Sequence, residues 1–117
     1  MDEITNSRML DMKDYAEKVI LFLGNFSYDE FTQDMRTNLV GTRCIEIIGE
    51  AASIVPDRDK AEFPDIEWKE IIGIRIVLAY ANMRIRLRTV YDIVQNDLPA
   101  LIAQPNKLLD AKNDHNT

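Results

Sequence analysis

The feature that most constrains the fold is a pair of long apolar stripes with helical period, separated by a very short turn. Over residues 3–23, apolar side chains recur every three or four positions, which places them on one face of a helix. Gly24 suits the position just after a helix, because glycine adopts a left-handed conformation without penalty. A second helix is expected to start only a few residues later. The two helices are therefore predicted to form an antiparallel hairpin.

The start of the second helix carries clear local signals. Ser27 and Glu30 have the spacing of a capping box, in which each side chain binds the backbone N–H of the other residue. Phe26 and Phe31 have the spacing of a hydrophobic staple across the same helix start. The apolar period then continues until Pro56, which ends it because proline disrupts a helix interior. We expect one uninterrupted second helix between these signals.

The rest of the chain divides into shorter helical segments. Asp65 is the predicted N-cap of the third helix, and Asn82 marks a break before the fourth. Pro99 suits the first turn of a short final helix. After the hairpin the expected order is a polar connector over 57–64, helices over 66–81, 85–97 and 99–103, and a tail from 105.

No segment shows the alternating pattern of a half-buried strand. The β-branched stretch 71–78 is the one candidate, but its flanks are helical in character and a lone strand has nothing to pair with. The predicted fold class is all-α: an antiparallel four-helix bundle with a short extra C-terminal helix. We expect one helical domain over 1–104 and a flexible tail over 105–117.

Composition limits the location and the chemistry of the chain. Of its 117 residues 46% are hydrophobic, yet no apolar run approaches the roughly 18 residues that cross a membrane. The polar, acidic N-terminus does not resemble a signal or transit peptide, and a single cysteine, Cys44, fits a reducing compartment. We therefore expect a cytoplasmic protein. Cys44 is predicted to be a small core residue rather than a nucleophile, since no histidine accompanies it.

Charge is unevenly distributed along the chain. The net charge of −6 argues against general coating of nucleic acid, which needs a basic surface. The stretch between Glu70 and Asp92 nevertheless contains no acidic residue. Four arginines fall within it: Arg75, Arg84, Arg86 and Arg88. For the last three, two interpretations stay open: an RNA-binding track, or a helix start that is solvated or pairs with acids across an interface.

Three segments of the chain carry a family resemblance. They are RCIEIIGEAA over 43–52, PDIEWKEIIGIR over 64–75 and YDIVQNDLP over 91–99. Together they resemble the HepT-like (DUF86) branch of the HEPN superfamily, whose members are mostly ribonuclease toxins of HEPN/MNT toxin–antitoxin pairs. The resemblance covers nearly the whole chain.

The catalytic motif of that family is an arginine, four residues, a histidine, any residue and a tyrosine. Arg75 stands at the arginine position, but Tyr80 replaces the histidine and Asn82 the tyrosine. The resemblance implies metal-independent RNA cleavage, in which histidine moves protons near neutral pH and arginine stabilises the phosphorane charge. A tyrosine side chain ordinarily has a pKa of about 10 and is a poor base at pH 7. The only histidine, His115, falls in the predicted tail.

Three hypotheses follow from this conflict between scaffold and motif. The first is a HepT-like toxin, ancestrally an RNA endonuclease, with a degenerate or inactivated site at Arg75, Tyr80 and Asn82. The alternative is a non-catalytic HEPN adaptor that dimerises and binds a minimal nucleotidyltransferase. The third is an inactivated copy, since histidine and tyrosine codons differ by one base.

The resemblance also implies partners. Small HEPN proteins are typically homodimers, with the motifs of both chains facing one cleft. Trp68, Tyr80 and Tyr91 are expected near an apolar face that a dimer would bury. The implied second partner is an MNT-type nucleotidyltransferase antitoxin, which in relatives adds AMP to the motif tyrosine. Asn82 has no hydroxyl to modify, and modification of the nearby Tyr80 in its place is disfavoured.

Two glutamates of the second helix, Glu46 and Glu50, lie four residues apart and so share a face. A metal site is disfavoured because no histidine or third carboxylate has suitable spacing, so solvated or salt-bridged glutamates are expected. Gly49 costs helix stability relative to alanine, and a close helix crossing would explain its presence. The sequence contains no phosphate loop, dinucleotide fingerprint or zinc spacing, so neither cofactor nor metal is predicted.

Overall fold

The computed structural model describes residues 3–104, and the regular structure within that range is entirely helical. The predicted all-α class is confirmed. The predicted tail over 105–117, including His115, lies outside the described residues. In chain order the elements are α1 (Glu3–Leu23), α2 (Tyr28–Gln33), α3 (Met35–Ile54), α4 (Asp57–Lys60), α5 (Trp68–Tyr80), α6 (Met83–Asp92), a π-helical segment (Ile93–Asp97) and α7 (Leu98–Ile102).

Helices α1 and α3 form the antiparallel pair that the short turn predicts. The side chain of Leu23, at the end of α1, lies 3.1 Å from where a Cβ of Gly41 would stand in the first half of α3. At the other end of the pair, Thr5 of α1 donates a hydrogen bond of 2.9 Å to Asp59, just beyond α3. The apolar stripe of α1 is buried in the core, as predicted: Met9, Met12, Ala16, Val19 and Leu23.

The predicted second helix is interrupted at Asp34, so the expectation of one uninterrupted helix is wrong. The capping box at its start is confirmed: Ser27 Oγ accepts from the Glu30 N–H at 3.1 Å, and Glu30 Oε1 accepts from the Ser27 N–H at 3.0 Å. Asp34 has an extended backbone, and its carboxylate accepts from the Thr37 N–H at 3.0 Å, which starts α3. A short acidic side chain offers the backbone this alternative to a continuous helix.

The third long helix, α5, begins later than predicted. It starts at Trp68 rather than Ile66, and its N-cap position is occupied by Glu67, without a side-chain hydrogen bond, rather than by Asp65. The Trp68 indole N–H donates to the Phe63 carbonyl at 3.1 Å. This contact ties the helix start to the connector, which itself contains the short helix α4.

The last helical stretch runs from α6 through the π-helical segment into α7. Asn82 is the predicted break, and its Oδ1 accepts from the Ile85 N–H at 3.0 Å as the N-cap of α6. Helix α6 therefore begins at Met83 rather than Ile85. The π-helical turn precedes Pro99, whose missing N–H and bulky ring would disrupt a regular α-helix over these residues. The predicted fourth and final helices are thus joined end to end.

The core lies where α1, α3, α5 and the stretch from α6 to α7 meet. None of the helices within residues 3–104 is both long and apolar enough to cross a bilayer. The largest fully buried side chains are Phe31, Phe63, Met9, Met12, Leu23, Ile45, Ile48, Ile71, Ile74, Leu98 and Leu101.

Two of the three aromatic residues expected at an outward apolar face instead pack within the chain. The Tyr91 hydroxyl donates to the Phe26 carbonyl at 3.0 Å, and its ring meets that of Tyr28 edge-on at 5.4 Å between centroids. Trp68 is half-buried against the core. Tyr80 alone of the three is exposed, with 86% of its surface accessible.

Candidate functional site

The three predicted motif positions run from the middle of α5 to the start of α6. Arg75 is exposed in the middle of α5, Tyr80 is the last residue of that helix, and Asn82 caps α6. Residues five positions apart on an α-helix point about 140° apart, because each residue turns the helix by roughly 100°. Arg75 and Tyr80 therefore project in different directions. The side-chain oxygen of Asn82 is engaged by the Ile85 N–H.

Arg75 lies in a shallow pocket together with two glutamates of another helix. The pocket has a volume of about 220 Å³ and is lined by Glu46 and Glu50 of α3 and by Arg75, Leu78 and Ala79 of α5. Sequence reasoning treated the glutamates and the arginine separately and missed this juxtaposition. The available signal was Gly49, which marks the place on α3 where another helix comes close.

Gly49 explains why α3 and α5 come so close at this pocket. A Cβ at position 49 would stand 2.8 Å from Ile74 Cγ2, 3.0 Å from the Ile71 carbonyl oxygen and 3.8 Å from Arg75 Cγ. Any larger residue at this position would press against the backbone of α5. The predicted close helix crossing at Gly49 is confirmed.

The charged groups of the pocket differ in their partners. Glu46 accepts a hydrogen bond of 2.6 Å from Arg43 on its own helix, and this bond raises the pKa of Arg43 above its ordinary value. Within residues 3–104, neither Glu50 nor Arg75 forms an ion pair. The Arg75 guanidinium can therefore donate to an anionic ligand, but the nearby carboxylates lower the positive potential that the ligand meets.

The three arginines of α6 have different environments. Arg88 forms a salt bridge of 3.2 Å with Asp92 and lies over the Tyr28 ring, 4.5 Å from its centroid. Arg84 is exposed, whereas Arg86 is half-buried in a groove between α3 and α6. In the described part of the chain, neither Arg84 nor Arg86 has an ion-pair partner. These two are the members of the predicted track that stay available to bind phosphate.

Other chemistry-bearing side chains do not extend the site. Cys44 is half-buried, and burial raises the pKa of its thiol, which disfavours the nucleophilic thiolate. Among residues 3–104, no three His, Cys, Asp or Glu side chains converge in a way that could hold a metal ion.

Comparison with known proteins places the chain in a family. The family described as ribonuclease HepT-like matches residues 12–108. A protein of Thermococcus cleftensis, named as a probable ribonuclease HepT, is 31% identical over 100 residues, which cover 83% of this chain and 91% of the relative. Two proteins of Methanocaldococcus jannaschii that are named as RNases are also similar. One is 30% identical, in a match that covers 80% of this chain and 85% of the relative. The other is 27% identical, in a match that covers 86% of this chain and 84% of the relative.

No solved structure matches the chain with comparable significance. The family match nevertheless spans most of the sequence, from within α1 to beyond α7. It includes both sides of the Arg75 pocket and the junction between α5 and α6. The chain belongs to the HepT-like ribonuclease family.

Proposed function

We propose that this chain is the toxin component of a HepT-like toxin–antitoxin pair, an RNA-binding protein with a degenerate cleavage motif. The observation that carries this proposal is Arg75, which lies exposed in its pocket without an ion pair among the described residues. A guanidinium is suited to bind a phosphate through two parallel hydrogen bonds. Family membership and the RNase names of the relatives support RNA as the ligand.

The cleavage step is where we expect the chain to fall short of an active ribonuclease. Metal-independent cleavage needs one group to take the proton of the ribose 2′-hydroxyl and another to protonate the leaving oxygen. Tyr80 stands where the motif histidine belongs, and a phenol does this work poorly at neutral pH without activation. Asn82 stands where the motif tyrosine belongs, and its amide oxygen is engaged in capping α6.

We further propose that two copies associate through the exposed face of α5. Apolar residues occupy every side of this helix, and Ile76 and Tyr80 expose 68% and 86% of their surfaces. A helix that is apolar all round is normally buried on all sides. A second copy related by two-fold symmetry would cover these side chains and bring the motif positions of both chains into one cleft. An MNT-type nucleotidyltransferase is the proposed antitoxin.

The second candidate function is a non-catalytic HEPN adaptor, which dimerises and binds the nucleotidyltransferase without cutting RNA. The pair Glu46 and Glu50 favours it, because carboxylates that share a pocket with Arg75 oppose the binding of a phosphate. In this reading the Arg75 pocket recognises a partner protein.

Growth of cells that express this chain, beside cells that express the Tyr80→His variant, separates the two functions. If the scaffold lacks only one proton-transfer group, the Tyr80→His variant is expected to be toxic and the unchanged chain is not. Adding Arg75→Ala should then abolish the toxicity. If both chains are harmless, and Tyr80→His combined with Asn82→Tyr still cuts no RNA in the absence of metal, the adaptor is the better description.

Static light scattering tests the dimer separately. The expected mass is about twice the 13.5 kDa of one chain at micromolar concentration. Ile76→Glu should shift that mass toward one chain, because it places a charge in the proposed interface. A wild-type mass of one chain would contradict the association.

A further inference from the structure

A groove between the start of α3 and the first half of α6 shares no lining residue with the Arg75 pocket. Its volume is about 510 Å³, within the range that small organic ligands occupy. The walls are apolar, with Met35 and Leu39 from α3 and Met83 and Leu87 from α6. Met35, Leu39 and Met83 each expose more than half of their surface to solvent. The chain thus leaves an open apolar groove beside the motif helices.

Polar groups accompany these apolar walls. Arg86 lines the groove, is half-buried, and has no ion-pair partner among residues 3–104. Asn38 and Thr42, one turn apart on α3, contribute an amide and a hydroxyl to the same groove. The Asn38 amide donates only a long hydrogen bond of 3.4 Å, to the Thr32 carbonyl. The groove therefore combines apolar surface, an uncompensated cation and groups that both donate and accept hydrogen bonds.

We propose that this groove is a nucleotide subsite, which holds one base of a single-stranded RNA and binds the adjacent phosphate through Arg86. The inference rests on the proposed RNA-binding function and gives it a second contact surface. Methionine and leucine side chains at Met35, Leu39 and Met83 supply adaptable, polarizable surface for the faces of a base. The Asn38 amide matches the donor and acceptor edges that an unpaired base presents.

The position of the groove on α6 connects it to the motif. Met83 directly follows Asn82, and Arg84 and Arg86 stand on the same helix. No acidic residue occurs in α6 before its final position, so this helix start complements an RNA backbone. An RNA strand bound in the groove would therefore lie beside the junction of α5 and α6, because Met83 lines the groove and is the first residue of α6. An apolar peptide or lipid tail would use the walls of the groove but would leave the charge of Arg86 uncompensated.

Fluorescence anisotropy with a short, labelled, single-stranded RNA tests the subsite. Arg86→Gln is expected to weaken binding roughly tenfold and to reduce the slope of affinity against salt by about one phosphate contact. The matched control is Arg88→Gln on the same helix, because the Arg88 guanidinium already forms a salt bridge with Asp92 and lies over the Tyr28 ring. The control should change the affinity by no more than about twofold.

A second pair of variants tests the apolar wall. Leu39→Glu places a carboxylate in the groove and is expected to weaken RNA binding by roughly tenfold as well. Ile54→Glu adds the same charge at an exposed apolar position at the other end of α3, and should leave RNA binding nearly unchanged. Circular dichroism establishes that each variant retains the helical content of the wild-type chain.

Equal affinities of Arg86→Gln and Arg88→Gln for RNA would overturn the subsite. A change from dimer to monomer in Leu39→Glu would overturn it too, because the groove would then hold a second copy of the chain. RNA binding that depends on Arg75 but not on Arg86 removes only the subsite, whereas a wild-type chain that binds no RNA removes the proposed function as well.

Discussion

Gly49 of α3 lies directly against Ile74 of α5: a Cβ added to the glycine would stand 2.8 Å from the Ile74 Cγ2 atom. This contact sets the separation of the two helices at their crossing. At the same crossing, Arg75 of α5 shares a pocket with Glu50 of α3. The surroundings of Arg75 thus depend on a glycine that is remote in sequence.

Gly49→Ala is expected to lower the melting temperature. Replacing a mid-helix glycine gains about 1 kcal/mol of helix propensity, but overpacking against backbone costs about 1–3 kcal/mol. The destabilisation from overpacking should exceed the gain in helix propensity, since the Ile71 carbonyl oxygen would lie 3.0 Å from the new methyl group. Gly73→Ala is the matched control, because a Cβ there meets nothing within 4 Å; it should stabilise the fold by about 0.5–1 kcal/mol. Thermal denaturation that ranked the two variants equally would contradict the close crossing.

Glu50→Gln is expected to strengthen RNA binding by roughly twofold to fivefold, because it removes a negative charge from the pocket of Arg75. The gain should disappear in the Arg75→Ala background, which anisotropy with the same labelled RNA would measure. Glu62→Gln makes the same change of net charge at an exposed position of the connector. If Glu62→Gln strengthened binding equally, the effect would come from net charge and not from the pocket.

Asp34 should make stability depend on pH in the acid range. The Thr37 backbone N–H donates a hydrogen bond to the Asp34 carboxylate. This bond lowers the pKa of Asp34 in the folded chain below its ordinary value. Its contribution is therefore complete above the unfolded pKa of about 3.9 and is lost as the pH falls through the lower folded pKa. Asp34→Asn keeps a capping oxygen that does not titrate, so its stability relative to wild type should rise on acidification. Asp34→Ala should be less stable than both at pH 7. Melting curves at several pH values would show a constant difference between wild type and Asp34→Asn if the cap were unimportant.

Asp97 should change the pH dependence of stability in the direction opposite to Asp34. Burial and the nearby carboxylates of Glu67, Glu70 and Asp92 raise the pKa of Asp97 above its ordinary value. Ionisation of this group therefore destabilises the fold; the penalty grows as the pH rises from the unfolded pKa of about 3.9 and is complete above the folded pKa.

Asp97→Asn removes that penalty and is expected to raise the melting temperature at pH 7 but not near pH 3. Asp65→Asn, at an exposed position of the connector, serves as the control. An Asp97→Asn chain that melted at the wild-type temperature at pH 7 would count against the argument.

Local signals were sufficient where a structural feature depends on neighbouring residues. The extent of α1, the capping box of Ser27 and Glu30, and the break at Asn82 were predictable, because each rests on hydrogen bonds or periodicity within a few residues. The break at Asp34 was not, because the apolar period continues across it and hides a competing cap. The start of α5 was missed because it depends on a contact between Trp68 and the connector.

The candidate site also has some features that the sequence predicts and others that it does not. The assignment of Arg75, Tyr80 and Asn82 to motif positions is a prediction from spacing and residue type alone. The pairing of Arg88 with Asp92 was also within reach, because the two residues are one helical turn apart. The pocket that joins Arg75 to glutamates of α3 was not, and neither was the groove between α3 and α6.

The linear chain therefore specifies which residues become helical and which faces are apolar, because periodicity and capping act over a few residues. Tertiary structure alone decides what each charged side chain meets across a helix crossing. That outcome depends on the separation and rotation of packed helices, which the contact of Gly49 with Ile74 sets and which no local pattern encodes.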